Sequence, residues 1–231
     1  MLNGVLLDGR LTVAPHPLLS LAAFEATFAV PLADLPVSPE VDRLLDAPGR
    51  EGPAGAAFFI DDVVRGAIRD VLRAGGFKPT GRNKPSSEYL GAAVERGPMP
   101  RINLPVDAAN AVSRHGGLPI SVVDADRLEG AAVVRNGTAG ESYVFNASGQ
   151  LIEVEGLVGL ADALGACANA VKDAHRTKTH PGTRRVWTLV WGSRALTSPG
   201  QPTSIALATW MASLIAESGA TVSAVQAWPA S

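Results

Sequence analysis

Cysteine is almost absent from this chain: Cys167 is the single thiol in 231 residues. One thiol excludes an internal disulfide and a cysteine-built zinc site, and it fits a reducing cytoplasm. Aromatic residues make up 5% of the chain, which argues against a surface built for stacking unpaired bases. Charge of one sign is also missing. Lys plus Arg number 20 against 22 Asp plus Glu, so no global field attracts a polyanion and any nucleic-acid contact must be local. No apolar run reaches the roughly 18 residues of a membrane span. The opening stretch, MLNGVLLDGR, has no basic segment leading into an apolar one, so it does not read as a signal peptide. Membrane partners are therefore not expected. What is abundant is hydrophobic material, 46% of residues against 18% charged, enough to exclude disorder and fill a sizeable core.

The pattern of that material predicts the elements. Leu18 to Phe28 reads as a short apolar helix. Ser38 followed by Pro39 is an N-cap with proline at the first helical position, opening a helix to Asp46. The Pro/Gly-rich stretch 47–57 is a loop and the best linker candidate. In 61–73, Val64, Ile68, Val71 and Leu72 fall on one face of a helix that Gly75 and Gly76 end. Ser86 or Ser87 caps a helix to Glu95, and Leu104 to Arg114 forms another. From Leu118 on, β-branched runs alternate with turns, giving strands at 120–123, 132–134, 142–145, 151–154 and 186–191. A buried helix over 202–216 and a strand over 221–226 complete the chain. Helices first and strands later predict an α+β class rather than repeated βαβ units. The length suits a single domain over 1–231 with an N-terminal helical layer.

Motif chemistry excludes more than it supplies. Gly76 and Gly81 have the outer spacing of a phosphate-binding loop. The Lys-Ser/Thr pair that would follow the second glycine is replaced by Arg82 and Asn83, and a helix precedes the loop where a strand is needed. His175 and His180 lie downstream of Cys167 without a second cysteine or paired carboxylates to complete a zinc set, so no metal is expected. No cofactor motif is present. Asp124 and Asp126 read as strand-end turn residues. Two basic stretches remain: Arg73, Lys78, Arg82 and Lys84, and a denser one with Lys172, Arg176, Lys178, Arg184 and Arg185, in which Asp173 is the one acid. In a slightly acidic chain this asymmetry suits phosphate contact.

Three segments in order carry a resemblance. The first is Lys78-Pro-Thr-Gly-Arg-Asn-Lys-Pro-Ser-Ser-Glu-Tyr-Leu90. The second joins Leu104-Pro-Val-Asp-Ala-Ala-Asn110 to Gly117-Leu-Pro119 and Asp124-Ala-Asp-Arg-Leu-Glu-Gly130. The third pairs Val134-Arg135 with Gly140-Glu141. Together, over about residues 60–192, they resemble the B3/B4 (tRNA-binding and editing) domain of the phenylalanyl-tRNA synthetase β subunit in a stand-alone form. The resemblance implies a three-layer β/β/α fold, tRNA or aminoacyl-tRNA as partner rather than DNA, and a pocket for an amino acid. In the synthetases that pocket hydrolyses mischarged tyrosyl-tRNA. No aminoacylation domain is present, so the chain is not expected to charge tRNA.

Two positions depart from the family. Ser121 stands where the synthetases have a histidine facing the editing pocket, and Ala109 stands where threonine is frequent. A serine hydrogen-bonds water or a substrate hydroxyl, but near neutral pH it is no general base without help. Two functions stay open: a free-standing deacylase of mischarged aminoacyl-tRNA, and a non-catalytic module binding RNA or a free amino acid. For either, Glu141, Asp173 or the Asn110 carbonyl would hold the ammonium of the amino acid. Ser121 would meet substrate from the turn. Lys172, Arg176, Lys178, Arg184 and Arg185, with Arg82 and Lys84, would contact phosphates.

Overall fold

The computed structural model describes residues 4–93 and 97–229. Its regular elements are β1 (Gly4–Leu6), β2 (Leu11–Val13), β3 (Leu19–Thr27), α1 (Pro39–Asp46), α2 (Asp62–Arg73), α3 (Ser86–Ala93), α4 (Leu104–Gly116), β4 (Ile120–Asp124), β5 (Ala132–Asn136), β6 (Ser142–Val144), β7 (Leu151–Glu153), β8 (Val158–Asp162), β9 (Gly165–Asn169), β10 (Arg185–Ser193), α5 (Ser204–Ala216), β11 (Thr221–Val222) and β12 (Gln226–Trp228). The class is α+β. Glu95, where the helix starting at Ser86 or Ser87 was expected to end, lies outside the described residues.

The two nine-residue strands, β3 and β10, pair antiparallel along their whole length and form the centre of the main sheet, ordered β11-β3-β10-β4 with β12 also on β3. Leu18 to Phe28, expected as a helix, is therefore strand β3. Its leucines and alanines are helix formers, but the segment is buried on both faces, so tertiary burial overrides propensity and removes the polar alternation that marks a half-exposed strand. Strands at 4–6 and 11–13 also precede the helices. The helical layer itself holds, since four of the five α-helices among the described residues lie between residues 39 and 116.

Helix starts follow local chemistry. Ser38 accepts from the Val41 amide at 3.3 Å, Asp61 from Val64 at 3.0 Å, Asn103 from Val106 at 3.3 Å and Thr203 from Ala206 at 3.2 Å. Each satisfies a donor that the first helical turn leaves open. Helix α4 stops at Gly117, whose φ of 74° is the left-handed C-cap conformation. Just before it, a Cβ on Gly116 would sit 2.4 Å from Leu207 of α5, so this glycine sets how closely the two helices cross.

Helix α5 lies over β3 and β10, tied by the Ser20 and Ser204 hydroxyls at 2.8 Å. The second sheet, ordered β1-β2-β5-β8-β9, covers the other face. There the Arg10 guanidinium stacks 5.5 Å from the Trp187 ring centre, and both Arg10 and the Trp187 indole donate to Glu25. The layers are thus sheet, sheet and helices. The short hairpin β6–β7 stands apart and is used by the site below. Among the described residues, no helix is long and apolar enough to cross a membrane.

The segment 47–57, the expected linker, is fastened to α4. Arg114 is buried and donates to the Leu44 carbonyl at 3.0 Å, to the Ala47 carbonyl, and to the Gly49 carbonyl at 3.4 Å. His115 is fully buried. Its Nδ1 accepts from the Glu51 amide at 2.8 Å, which leaves the proton on Nε2 to donate to Leu44 at 2.8 Å. Burial holds this imidazole below its ordinary pKa, so it stays neutral. Arg114→Met keeps most of the volume but orphans buried carbonyls. Chemical unfolding should show a loss of about 2–4 kcal/mol; an unchanged midpoint would mean that the loop is not held by this residue.

Candidate functional site

Strand β4 is an edge of the main sheet, and a cleft of about 570 Å³ opens against it. Ile120 and Val122 of β4, Val106, Ala109 and Asn110 of α4, Tyr89 and Leu90 of α3, and Val171 form most of its wall, with Phe145 entering from the end of β6. The wall is mainly apolar. Its polar groups are few: Asp173, Asn110, Ser86 and Thr179, with Arg82, Lys172 and Lys178 as cations. A few polar groups converging in an apolar recess is the usual composition of a small-molecule site.

Asp173 is the acid of the cleft. Its Oδ1 accepts from the Ser121 hydroxyl at 2.8 Å and the Asn169 amide at 3.1 Å. Burial pushes its carboxyl up to about 6; the Ser121 hydroxyl, the Asn169 amide, the Lys178 charge and the Val122 amide pull the other way without cancelling that cost. Val122 lies on the open edge of β4, where a backbone donor lacks a strand partner.

The cations are arranged around Phe145. Lys178 donates to the Phe145 carbonyl at 2.8 Å and sits 3.9 Å from its ring centre, and Lys172 lies 5.0 Å from the same ring. Burial lowers the Lys178 pKa, opposed by Asp173. The loop carrying these residues is braced from beneath. Asn169 accepts from the Val171 amide at 2.8 Å and the Lys172 amide at 3.0 Å and donates to the Tyr143 hydroxyl, which donates to the Lys172 carbonyl. Burial pushes Tyr143 far above the ordinary phenol range, so it remains a donor.

The residues singled out from sequence separate into those on the cleft and those off it. Asn110, Asp173, Lys172, Lys178 and Arg82 line it together. Ser121 does not: it is fully buried behind Asp173, with its hydroxyl also accepting from the Trp191 indole at 3.0 Å. Glu141 is elsewhere. Arg135 grips both its oxygens at 2.8 and 2.9 Å, and the Thr138 and Ala166 amides donate to it. The Arg135 contact, with those amides, holds its carboxyl down at about 2, so it serves as the clasp of a turn.

The dense basic stretch does not present one face. Arg176 turns inward to Asp162, at 2.8 and 2.6 Å, and to the Gly165 carbonyl. Arg185 pairs with Asp126 at 2.5 Å, and Arg184 donates to the Ala29 carbonyl. Lys84 is partly buried and does not line the cleft. The cause is that the chain turns under Asp173 and then enters β10, which sends its side chains in different directions. Sequence reasoning missed Tyr89, Phe145 and Trp191. Nothing in their spacing links them to Asp173, since Tyr89 joins the cleft from α3, Phe145 from a hairpin, and Trp191 reaches Asp173 through a sheet.

Cys167 is fully buried and its thiol is pushed up to about 12 by burial, which makes it inert at neutral pH. His180 lies against Asp124 at 3.2 Å. Among the described residues, no group of three His, Cys, Asp or Glu side chains comes together as a metal site would require.

None of the curated proteins matches this chain. Among solved structures, an N-terminal fragment of the phenylalanyl-tRNA synthetase β subunit from Pyrococcus horikoshii is similar to it with a TM-score of 0.43 and 11% identity, over 55% of this chain and 45% of that one. The model of the B3/4 domain family matches residues 75–193, which is 119 of 231 residues. That span takes in every side chain lining the cleft, from Arg82 to Thr179, and on it the chain belongs to the B3/4 domain family.

Proposed function

We propose that the cleft binds the aminoacyl end of a tRNA in the cytoplasm, with the amino acid in the recess and its ammonium on Asp173. The observation that carries this reading is the position of Asp173, a carboxylate set in an apolar cleft with Lys172, Lys178 and Arg82 among its lining. An aminoacyl ester presents a cation, an apolar or aromatic side chain and a neighbouring phosphate. Asp173, the wall of Val106, Ala109, Ile120 and Val122, and the cations complement those three in turn. Membership of the B3/4 family supports the same partner.

A second reading, deacylation, is favoured by the raised basicity of the Asp173 carboxylate. A carboxyl near 6 is better matched to accepting a proton from water at neutral pH than an ordinary aspartate. Asp173 cannot hold the ammonium and activate water at full strength together, so the two readings separate by turnover. Release of amino acid from a panel of mischarged tRNAs, lost in Asp173→Asn, marks a deacylase; binding with no release above a buffer blank marks a binder.

Calorimetry with phenylalanine methyl ester tests the site itself. Asp173 must be ionised to hold an ammonium, so affinity should rise between about pH 5 and about pH 7 as the carboxyl loses its proton. Asp173→Asn should weaken binding by about tenfold or more and flatten that profile. Unchanged affinity in the variant removes Asp173 from the site.

For tRNA, the pair Arg82→Ala and Lys172→Ala should lower the log–log salt slope of binding by about one to two units, because each phosphate contact releases condensed counterions. Thermal stability should hardly move. A slope equal to that of the wild type would put the phosphate contacts on another face.

A further inference from the structure

Ser121 cannot touch a ligand, yet it is joined to the one acid of the cleft. It is fully buried, and Trp191 is 1% exposed. The Trp191 indole N–H lies 3.0 Å from the Ser121 Oγ, and the Oγ lies 2.8 Å from Asp173 Oδ1 and 3.2 Å from the Asn169 carbonyl. These distances fix the direction of each bond. An indole N–H only donates, so Ser121 must accept from it. A carboxylate and a carbonyl only accept, so the single proton of the hydroxyl points towards them, with the shorter contact to Asp173.

We infer that Ser121 and Trp191 are positioning residues for Asp173: the indole fixes the rotation of the hydroxyl, and the hydroxyl holds the Asp173 carboxylate in place and in its charged form. This rests on the reading that Asp173 meets the ligand. The strands make the arrangement rigid. Ser121 lies opposite Leu189 in the β4–β10 ladder, which sets Trp191 two residues along the neighbouring strand. Asn169, the residue that also donates its amide to Asp173, ends β9 in the second sheet. The carboxylate is thus gripped from both sheets at once, through Ser121 and through Asn169.

Among the other ionisable groups around Asp173, Lys178 also supports the charged form, but less than the Ser121 hydroxyl does. Lys178 is the charge acting on it, while Lys172 lines the same cleft. Tyr143 and Cys167 both feel its field but are driven upward by burial and stay neutral near pH 7. Burial raises the Asp173 carboxyl, and the Ser121 hydroxyl is the first group that opposes it. A donor to the ionised form lowers a carboxyl pKa, so removing that donor must raise it.

The test follows the Asp173 carboxyl by carbon NMR across pH in the full chain without ligand. In Ser121→Ala the midpoint should move up by about one pH unit. Ser121→Thr, which keeps a hydroxyl, should bring it back, and Trp191→Phe should move it upward by a smaller amount. A midpoint in Ser121→Ala equal to that of the wild type, in a protein with native methyl shifts, overturns the inference. If Ser121→Ala does not fold, Trp191→Phe decides, and an unmoved midpoint there overturns it equally. The pH dependence of phenylalanine methyl ester binding is the second readout and should shift with the carboxyl. Should the carboxyl shift while the ester binds to no form of the protein, the positioning role stands and the ligand assigned to Asp173 is what fails.

Discussion

A carboxylate held in an apolar recess is the constraint around which the cleft is arranged. Leaving water costs an ion several kcal/mol unless other groups replace its hydration. Asp173 recovers part of that cost from a serine hydroxyl, two backbone amides and a lysine, and its carboxyl still sits near 6. The remaining deficit is what a cationic ligand would relieve. Serving that carboxylate is a common task of Ser121 from the main sheet, Asn169 from the second sheet and Lys178 from the loop between. The braces beneath them, Trp191 and Tyr143, are residues of the core rather than of any exposed surface.

The fold explains why such a site can stand at an edge. The pairing of β3 with β10 is nine residues long and buried on both sides, one face under α5 and the other under the second sheet. That leaves β4 as an edge with backbone groups to spare, and α4, pinned to the 44–51 segment by Arg114 and His115, stands beside it at a fixed distance. The cleft is the space that these two elements cannot close. The loop after β9 and the hairpin β6–β7 then bring Asp173, Lys178 and Phe145 over it.

Much of the helical part was legible in the sequence because helix signals are local. Ser38-Pro39, Asp61 and Gly117 each act on their own turn, and they work in the structure as the spacing requires. Strand β10 was legible from its β-branched and aromatic content. Strand β3 was not, because Leu-Ser-Leu-Ala-Ala-Phe-Glu-Ala-Thr has the composition of a helix and becomes a strand only through the partners it finds. Strands β8 and β9 were missed for a related reason: Val-Gly-Leu-Ala-Asp and Gly-Ala-Cys-Ala-Asn are poor in β-formers and are held by tertiary context, β8 between β5 and β9 and β9 by its pairing with β8. The single long strand expected at 221–226 is two short ones, β11 and β12. For the site, Asp173, Asn110 and the lysines stood out as polar residues in suggestive company. Glu141 stood out equally and proved to be the partner of Arg135, because a turn that folds a Gly-Glu back onto an arginine cannot be told from a ligand site by spacing. Ser121 was read as facing substrate, but strand alternation turns it to the interior, towards Trp191.

In the proposed binding mode, Asp173 would receive the ammonium of an aminoacyl group whose side chain lies in the cleft. A crystal structure with a non-hydrolysable 3′-aminoacyl-adenosine analogue carrying phenylalanine tests it most directly. The analogue's amine should lie within about 3 Å of the Asp173 carboxylate and its ring against Val106, Ala109, Ile120 and Val122. An analogue seated elsewhere on the protein, or in the cleft with its amine turned to solvent and Asp173 unengaged, would contradict it.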